Sequence, residues 1–373
     1  MEFLLAIGAF MAFFLAWLLH IKKDKSKADY ALSLLFLVNG LTILLGFLEI
    51  INRKAGYPFA FILHTSTPPI LLHGPLMWLY VSYLTRPKFR PKPVHLLHLL
   101  PFALVLMLFV FKNYMLPAEQ RIAQEDSEAF RQQLMFPIVV LMIFASTQSY
   151  YWFSWVQLRR HRKALERYFG NLDQKDPLWL RHLLIGAVIF YAAISLLYIT
   201  DYLFNLMPYG SLQITGYLFA AVYTIYLGYH GFRQGDVFTQ ANVEVALETL
   251  VGETPGEPAP EQKEVLALQS LMDREKPYTN PELTLAQLAR AAGMTPARLS
   301  ALLNRQLGMN FFEFVNRQRV EEFMLQSQTE EGRKFSLMGI AYNCGFNSKP
   351  TFNRVFRSLT GKTPSEWLAE QKK

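Results

Sequence analysis

Apolar residues form long runs over the first 232 residues of the chain and shorter helical stripes over the C-terminal part. A helix needs roughly 20 apolar residues to cross about 30 Å of hydrocarbon. Seven runs meet or approach that length, which predicts a polytopic bundle of about seven transmembrane helices, with six or eight as alternatives. The predicted spans are Phe3–His20, Ala31–Ile50, Phe59–Leu84, His95–Phe111, Met135–Val156, Leu183–Leu206 and Leu212–Gly231.

Two of these runs carry further signals. The third contains Pro68, Pro69 and Pro75. We expect a kinked or broken helix there, because proline lacks the amide hydrogen that the helical ladder needs. The first run has no basic residue before it and no small-residue cleavage site after it. That pattern favours a retained span over a cleaved signal peptide.

Basic residues are distributed unevenly between the predicted loops. The first, third and fifth loops carry 15 lysines and arginines, whereas the second, fourth and sixth carry 5. Short loops rich in lysine and arginine stay on the cytoplasmic side of a membrane. The distribution therefore predicts an N-terminus outside the cell and, after seven spans, a C-terminus in the cytoplasm.

A polar segment follows the apolar part. Residues 233–262 read RQGDVFTQANVEVALETLVGETPGEPAPEQ, and proline, glycine and glutamate dominate their second half. Such a composition is typical of a flexible or semi-rigid linker. We therefore predict a membrane domain over residues 1–232, a cytoplasmic linker over 233–262 and a soluble domain over 263–373.

Near the C-terminus, IAYNCGFNSKPTFNRVFRSLTG predicts two short helices joined by a turn. The first carries an apolar stripe of Leu337, Ile340 and Ala341. Gly345 suits a turn with positive φ, and Asn347 or Ser348 can cap the second helix. That helix has an apolar face of Phe352, Val355, Phe356 and Leu359 and an outer face of Lys349, Asn353, Arg354 and Arg357. Arginine and lysine match guanine edges and phosphates, and asparagine matches adenine, so the outer face suits a major groove.

The same pattern occurs upstream, in TLAQLARAAGMTPARLSALLNRQLG. Its first helix carries an apolar stripe of Leu285, Leu288, Ala289 and Ala292. Gly293 makes the turn, and Thr295 caps a second helix with Pro296 at its first position. Leu299, Leu302 and Leu303 form the buried stripe of that helix. The residues predicted to face outward are Arg298, Ser300, Ala301, Asn304 and Arg305.

A longer helix is predicted between the two motifs, over NFFEFVNRQRVEEFMLQ. Its apolar residues fall on two opposite sides, a pattern that indicates burial between two bodies. At 1.5 Å per residue it spans about 25 Å. It could therefore hold two recognition helices in successive major grooves, about 34 Å apart on one face of a DNA duplex.

Residues 277–368 resemble the DNA-binding domain of the AraC/XylS family of bacterial transcription regulators. The resemblance rests on both motifs, on the linker helix with Arg319-Val320, and on the IAY..GF.S...F.R.F....G.TP signature. It implies seven helices, with one recognition helix at each end of the linker helix. By position, it places base contacts at Ala297, Arg298, Ser300 and Ala301 in the first motif and at Lys349, Pro350, Asn353 and Arg354 in the second. Asn304, Arg305 and Arg357 suit phosphates better than bases.

The apolar part departs from that family, whose usual effector domain is a soluble β-barrel. It resembles instead the seven-span modules that some bacterial regulators carry. Ionisable side chains inside spans are costly, so they are candidates for function. The candidate ligand-sensing residues are Asp201, His64 and His73, with an interfacial position for Asp201 and a packing role for the histidines as alternatives.

Composition restricts the remaining possibilities. The chain is 52% hydrophobic with a net charge of +8, which suits DNA or the anionic inner leaflet of a membrane. Its single cysteine, Cys344, excludes an intrachain disulfide. We found no paired carboxylates, nucleophile triad or phosphate-binding glycine loop, so we expect no enzyme activity, no cofactor and no metal site.

The sequence thus predicts an all-α protein: a transmembrane helix bundle followed by a cytoplasmic double helix-turn-helix domain. We expect a membrane-bound one-component regulator in the bacterial inner membrane that binds double-stranded promoter DNA. The family resemblance favours an activator over a repressor. A small molecule or a membrane property would be its signal, a homodimer its assembly and RNA polymerase a further partner. The alternative is a membrane enzyme or transporter with a regulatory DNA-binding tail.

Overall fold

The computed structural model describes residues 2–86, 88–173, 178–206, 208–234 and 262–371, and these residues are helical without a β-strand. They divide into two compact units. The apolar unit contains residues 2–159 and 178–234, and the C-terminal unit contains residues 160–173 and 262–371. Most of the predicted linker, residues 235–261, lies outside the described residues.

In the described residues the apolar unit has eight α-helices, the sixth of which continues into residues of the C-terminal unit. They are α1 (Glu2–Ile21), α2 (Lys27–Lys54), α3 (Ile70–Thr85), α4 (Leu100–Phe109), α5 (Ala118–Asp126), α6 (Met135–Glu166), α7 (Leu178–Phe204) and α8 (Tyr209–Gln234). A 3₁₀ segment, Pro93–Leu99, precedes α4, and a π-helical turn, Val110–Tyr114, follows it. Ser26 and Asp29 form a reciprocal cap at the start of α2, with bonds of 3.1 and 2.8 Å.

Among the described residues, five helical segments are long and apolar enough to cross a membrane. They are Glu2–Ile21, Lys27–Lys54, Pro93–Tyr114, Met135–Glu166 and Trp179–Phe204. Helix α3 is apolar but has only 16 residues, because the chain before Ile70 is broken at Pro68 and Pro69 as expected. Helix α8 is not among the five, since its tyrosines, glutamines and glycines lower its hydropathy. A count of seven spans is therefore still a prediction.

Helix α8 nevertheless packs within the bundle, against α1 and α2. A Cβ atom added to Gly8 would lie 2.4 Å from the Cβ of Ala221, and one added to Gly46 would lie 2.3 Å from the ring of Tyr217. Small residues let apolar helices approach this closely, as they do in membrane bundles. The glycines therefore specify the α1–α8 and α2–α8 contacts.

Seven α-helices follow residue 261 in the described part of the C-terminal unit, the number that the resemblance implied. They are α9 (Gln262–Glu275), α10 (Leu285–Ala291), α11 (Pro296–Gln306), α12 (Phe311–Gln328), α13 (Leu337–Asn343), α14 (Lys349–Thr360) and α15 (Pro364–Gln371). Helices α10 and α11 form the first motif, and α13 and α14 form the second. Asn310 and Glu313 form a reciprocal cap at the start of α12, with two bonds of 2.9 Å.

Helix α12 contributes to two hydrophobic cores, as its two apolar sides predicted. Phe311 and Val315 pack with the first motif, α9 and residues 165–172. Val320 and Phe323 pack with the second motif. Because each motif has its own core around one shared helix, α12 determines the spacing of the two recognition helices. The participation of residues 165–172 was not expected from the sequence.

Candidate DNA-binding interface and the cavity in the apolar unit

Helix α14 is the recognition helix of the second motif, and its ends are defined by local chemistry. The Ser348 hydroxyl accepts a bond of 3.4 Å from the amide of Thr351, and Pro350 lies in the first turn. Gly361 ends the helix with φ +75°, and its amide donates to the carbonyl of Arg357 at 2.9 Å. These signals hold a helix of 12 residues.

One face of α14 is buried and the other is basic. Thr351, Phe352, Val355 and Phe356 are buried. The exposed residues include the five that were predicted to contact DNA, Lys349, Pro350, Asn353, Arg354 and Arg357. Leu359 was expected on the buried face but is 40% exposed, because it lies in the last turn, at the edge of the core. The exposed face presents three cations and one amide to solvent.

Helix α11 is the recognition helix of the first motif. The Thr295 hydroxyl accepts from the amide of Arg298 at 3.1 Å, and Leu299, Leu302 and Leu303 are buried as predicted. Asn304 and Arg305 are exposed, and Ala297 and Ala301 lie half-buried beside them. Counted from the two capping residues, Ala301 of this face matches Arg354 of α14, and Ala297 matches Pro350.

The expectation that Ser300 faces outward is wrong, since the residue is only 8% exposed. At 100° per residue, Ser300 lies about 60° from Leu303, at the edge of the buried stripe. Asn304 covers it: the Asn304 amide donates to the Ser300 carbonyl at 2.8 Å and to its hydroxyl at 3.3 Å. A base edge therefore has no direct access to the Ser300 hydroxyl in this arrangement.

Arg298 is held by a carboxylate from outside the motif. Its Nε and one terminal nitrogen bind the two oxygens of Glu264, on α9, at 3.0 and 2.8 Å. The Arg298 side chain is 17% exposed. A two-point pair of this kind fixes a guanidinium in position. A DNA contact by Arg298 thus competes with Glu264.

Arg319, on α12, is the most buried cation of the C-terminal unit, at 1% exposed. Its guanidinium donates to the carbonyls of Tyr278 and Gly170 at 2.8 Å and of Asn280 at 2.9 Å. Burial lowers the pKa of Arg319 to about 10, so it remains charged at neutral pH. In the sequence, Arg319 is only part of a signature; in the structure, it lies where three backbone segments meet.

One of these segments comes from the chain after α6. The amide of Gly170 donates to the Leu283 carbonyl at 3.1 Å, and the Tyr168 carbonyl accepts from the amide of Leu285 at 2.9 Å. These bonds attach residues 168–170 to the start of α10, while Asn316 donates to the Gly170 carbonyl at 3.0 Å.

The attachment continues to the second motif. The Thr351 hydroxyl, in the first turn of α14, donates to the Asp173 carboxylate at 2.6 Å. We call residues 168–173 the clasp, because they bind α10, α12 and α14. No periodicity or motif in the sequence indicated it; the only signal was the aromatic pair Tyr168-Phe169 in a basic loop.

The apolar unit contains a cavity of about 150 Å³. Two of the three candidate ligand-sensing residues, His64 and His73, line it. His64 has φ +62° and lies 3.1 Å from the carboxylate of Glu125. His73 is buried and contacts Thr42 and Tyr191. The structure therefore brings the two histidines to one cavity.

Asp201, the third candidate, is fully buried but does not line this cavity. Its carboxylate pairs with Arg131, which also pairs with Glu128. The cation comes from the segment between α5 and α6 and so neutralises the buried charge. A structural ion pair accounts for Asp201 without a ligand.

The C-terminal unit also matches known proteins. Residues 288–370 match the family HTH_18, a helix-turn-helix domain. The arabinose operon regulatory proteins of Salmonella typhimurium and Escherichia coli are each 32% identical over 85 residues, which cover 23% of this chain and 29% and 28% of theirs. An uncharacterized transcriptional regulatory protein YesN of Bacillus subtilis is 36% identical over 94 residues, 25% of each chain.

The chain spans less than a third of the length of these curated relatives. No solved structure matches it. The family match covers residues 288–370, so this part of the chain is a helix-turn-helix domain of the AraC type, and the regulators named above are similar to this chain over about a quarter of its length. The resemblance stated from the sequence is confirmed for that region.

Proposed function

We propose that this chain is a membrane-bound one-component transcription regulator, in which the apolar unit senses a signal and the C-terminal unit binds specific promoter DNA. One observation carries the proposal: a single chain joins five helices able to span a membrane to an AraC-type domain whose α14 exposes Lys349, Asn353, Arg354 and Arg357. Cations attract the phosphate backbone, and the amide and guanidinium groups distinguish base edges.

The proposed location is the bacterial inner membrane, with the N-terminus outside and the DNA-binding domain in the cytoplasm. The excess of lysine and arginine in alternate predicted loops supports this orientation. DNA is cytoplasmic in bacteria, so a promoter-binding domain must lie on the cytoplasmic side of the membrane. Alkaline phosphatase is active only outside the cytoplasm, so fusions of this enzyme to the predicted outer loops should be active. The set of active fusions would test the topology and the number of spans.

The clasp offers a route from signal to DNA. Helix α6 is continuous from Met135 to Glu166, and its residues from 160 onward belong to the C-terminal unit. Residues 168–173 then bind the start of α10, Arg319 and the first turn of α14. A shift of α6 on ligand binding would therefore alter the contacts of both motifs, without passing through the linker.

We further propose a homodimer that activates transcription with RNA polymerase as a partner. Paired DNA sites would then be bound by paired domains, each domain through two recognition helices. Crosslinking in native membranes, with and without promoter DNA, tests the dimer; monomers under both conditions would exclude it.

Chromatin immunoprecipitation of the tagged full-length protein tests the proposed function as a whole. The comparison is between the wild type and a Lys349→Ala/Arg354→Ala double variant. Sharp peaks at a few promoters that disappear in the variant are expected. An Arg274→Ala/Lys334→Ala variant is the control, because it removes two exposed cations outside both recognition helices. Equal peaks in wild type and double variant would contradict specific binding through α14 and favour a membrane enzyme or transporter with a tail.

A further inference from the structure

Phenylalanine and tyrosine side chains form more than a third of the lining of the cavity in the apolar unit. Ten of them lie on α4, α6, α7 and α8, among them Tyr151, Phe190, Tyr191 and Phe219. Such a wall favours a flat or slender apolar body. The polar atoms among these rings decide the chemistry of the rest of the ligand.

Asn39, on α2, provides the most specific polar atom. The hydroxyl of Thr224 donates to the Ala220 carbonyl at 2.7 Å, so its oxygen must accept from Asn39 at 3.4 Å. The atom of Asn39 that faces Thr224 is therefore the amide nitrogen. Its carbonyl oxygen is buried and has no hydrogen-bond partner among the described residues. A buried acceptor without a partner is costly, so this site calls for an O–H or N–H donor.

Next to Asn39, a chain of hydrogen bonds runs from the Tyr191 hydroxyl through His73 to Thr42. Thr42 donates to the Val38 carbonyl at 2.8 Å, so its oxygen accepts from His73 Nε2 at 3.1 Å. In the neutral ring, His73 Nδ1 is then the acceptor, and the Tyr191 hydroxyl donates to it at 3.2 Å. The Tyr191 hydroxyl also hydrogen-bonds with Tyr151. Asn39 thus presents the acceptor at this end, and neither Asn39 nor Tyr191 carries a charge.

The other end of the cavity lies about 15 Å away. Gln213 lines that end and donates to Glu49 of α2, ten residues beyond Asn39; at 1.5 Å per residue this is about 15 Å of rise. Asn113 also lines the cavity, and its buried amide nitrogen has no hydrogen-bond partner among the described residues. The lining therefore also offers a donor to the ligand.

From these contacts we propose that the cavity binds a slender aromatic compound of the phenol class that is uncharged at its hydroxyl end. Its hydroxyl donates to the Asn39 carbonyl, its ring lies among the aromatic side chains, and its far end extends toward Asn113. An ionised group at the Asn39 end has no counter-ion among Asn39, Thr42, His73 and Tyr191, so burial would exclude it. The role of this ligand as the signal rests on the proposed function; its binding does not.

Two glycines provide a matched pair of variants. A Cβ added to Gly216, which lines the cavity on α8, meets nothing within 4 Å. A Cβ added to Gly186, exposed on α7 and not in the lining, also meets nothing within 4 Å. Gly216→Leu therefore fills the cavity without a clash at the Cβ, and Gly186→Leu adds the same side chain elsewhere on the bundle.

The experiment is isothermal titration of purified full-length protein in nanodiscs, without DNA, with 4-butylphenol and with 4-butylanisole, which lacks the donor. Wild type and Gly186→Leu are expected to bind the phenol equally, about tenfold more tightly than the anisole, and Gly216→Leu to lose both. Asn39→Leu is expected to lower phenol affinity to that of the anisole and to leave the anisole unchanged.

Equal affinities of wild type for the two probes, binding of neither probe, or binding that persists in Gly216→Leu would each overturn the proposal. The donor comparison within wild type does not depend on any variant folding. Chromatin immunoprecipitation with and without 4-butylphenol separates the two proposals: binding without a change in promoter occupancy supports the site and contradicts sensing.

Discussion

The two recognition helices begin alike and present different surfaces. Both start with a hydroxyl cap, at Thr295 and Ser348, and both have proline in the first turn. Helix α14 then exposes Asn353 and Arg354, whereas the positions of α11 that match them hold the buried Ser300 and the half-buried Ala301. Equivalent helices in one domain therefore differ in the number of groups that can distinguish bases.

The surroundings of the helices increase the difference. On α11, Glu264 holds Arg298 and Asn304 covers Ser300. On α14, the clasp reaches Thr351 on the buried side and leaves the basic face exposed. We infer that α14 supplies most of the sequence discrimination and that α11 positions the domain on the phosphate backbone.

The largest effect is expected from Arg319, on the helix that both motifs share. Arg319→Met keeps the volume but leaves the carbonyls of Tyr278, Gly170 and Asn280 without their donor, which should cost about 3–5 kcal/mol of stability. Hydrogen exchange of α12 amides in the full-length protein measures this. Loss of protection in the half of α12 that packs on one motif alone would show that α12 does not couple the two motifs. Arg319→Lys, which keeps the charge, should lose less stability than Arg319→Met.

The DNA contacts themselves come next. Lys349→Ala/Arg354→Ala should lower affinity for a promoter fragment by about 3 kcal/mol and reduce the salt dependence by about two charges. Arg298→Ala/Arg305→Ala should cost about 1 kcal/mol, because α11 contributes fewer base contacts. Fluorescence anisotropy over a range of salt concentrations distinguishes the pairs, and equal losses would remove the asymmetry between the helices.

Replacement of the two turn glycines by alanine should cost different amounts of stability. Both have positive φ, +67° at Gly293 and +94° at Gly345, where a Cβ is disfavoured by about 1 kcal/mol. At Gly345 the Cβ would also lie 2.4 Å from the Tyr278 carbonyl oxygen, whereas at Gly293 nothing lies within 4 Å. Gly345→Ala should therefore destabilise the C-terminal unit by about 2–3 kcal/mol and Gly293→Ala by about 1 kcal/mol. Limited proteolysis of the full-length variants measures which of the two is less stable. Equal loss of stability in both variants would contradict this prediction.

The smallest expected effect is a gain. Glu264→Gln removes the charge that holds Arg298, so affinity for DNA should rise about two- to fivefold. Glu275→Gln, on the same helix and paired with its neighbour Arg274, is the matched control for the loss of one negative charge. No difference between the two variants would mean that Glu264 does not limit the DNA contact of Arg298.

Local pattern was sufficient for much of this protein. The double motif, its caps, the turn glycines and the two-sided helix α12 follow from short-range stereochemistry and from apolar periodicity, which act within a few residues. The outward residues of α14 followed for the same reason, since a strong apolar stripe leaves only one face for the rest. The long apolar runs likewise indicated helices able to span a membrane.

Other features depended on contacts between residues far apart in the sequence. Glu264 meets Arg298, Gly170 meets Arg319 and Asp173 meets Thr351 across separations that no periodicity encodes. The burial of Ser300 likewise depends on how Asn304 folds back over it. In the apolar unit, the orientation of the Asn39 amide depends on the hydroxyl of Thr224, 185 residues away. Hydrogen-bond polarity is decided by which groups packing brings together, so only the tertiary structure determined these sites.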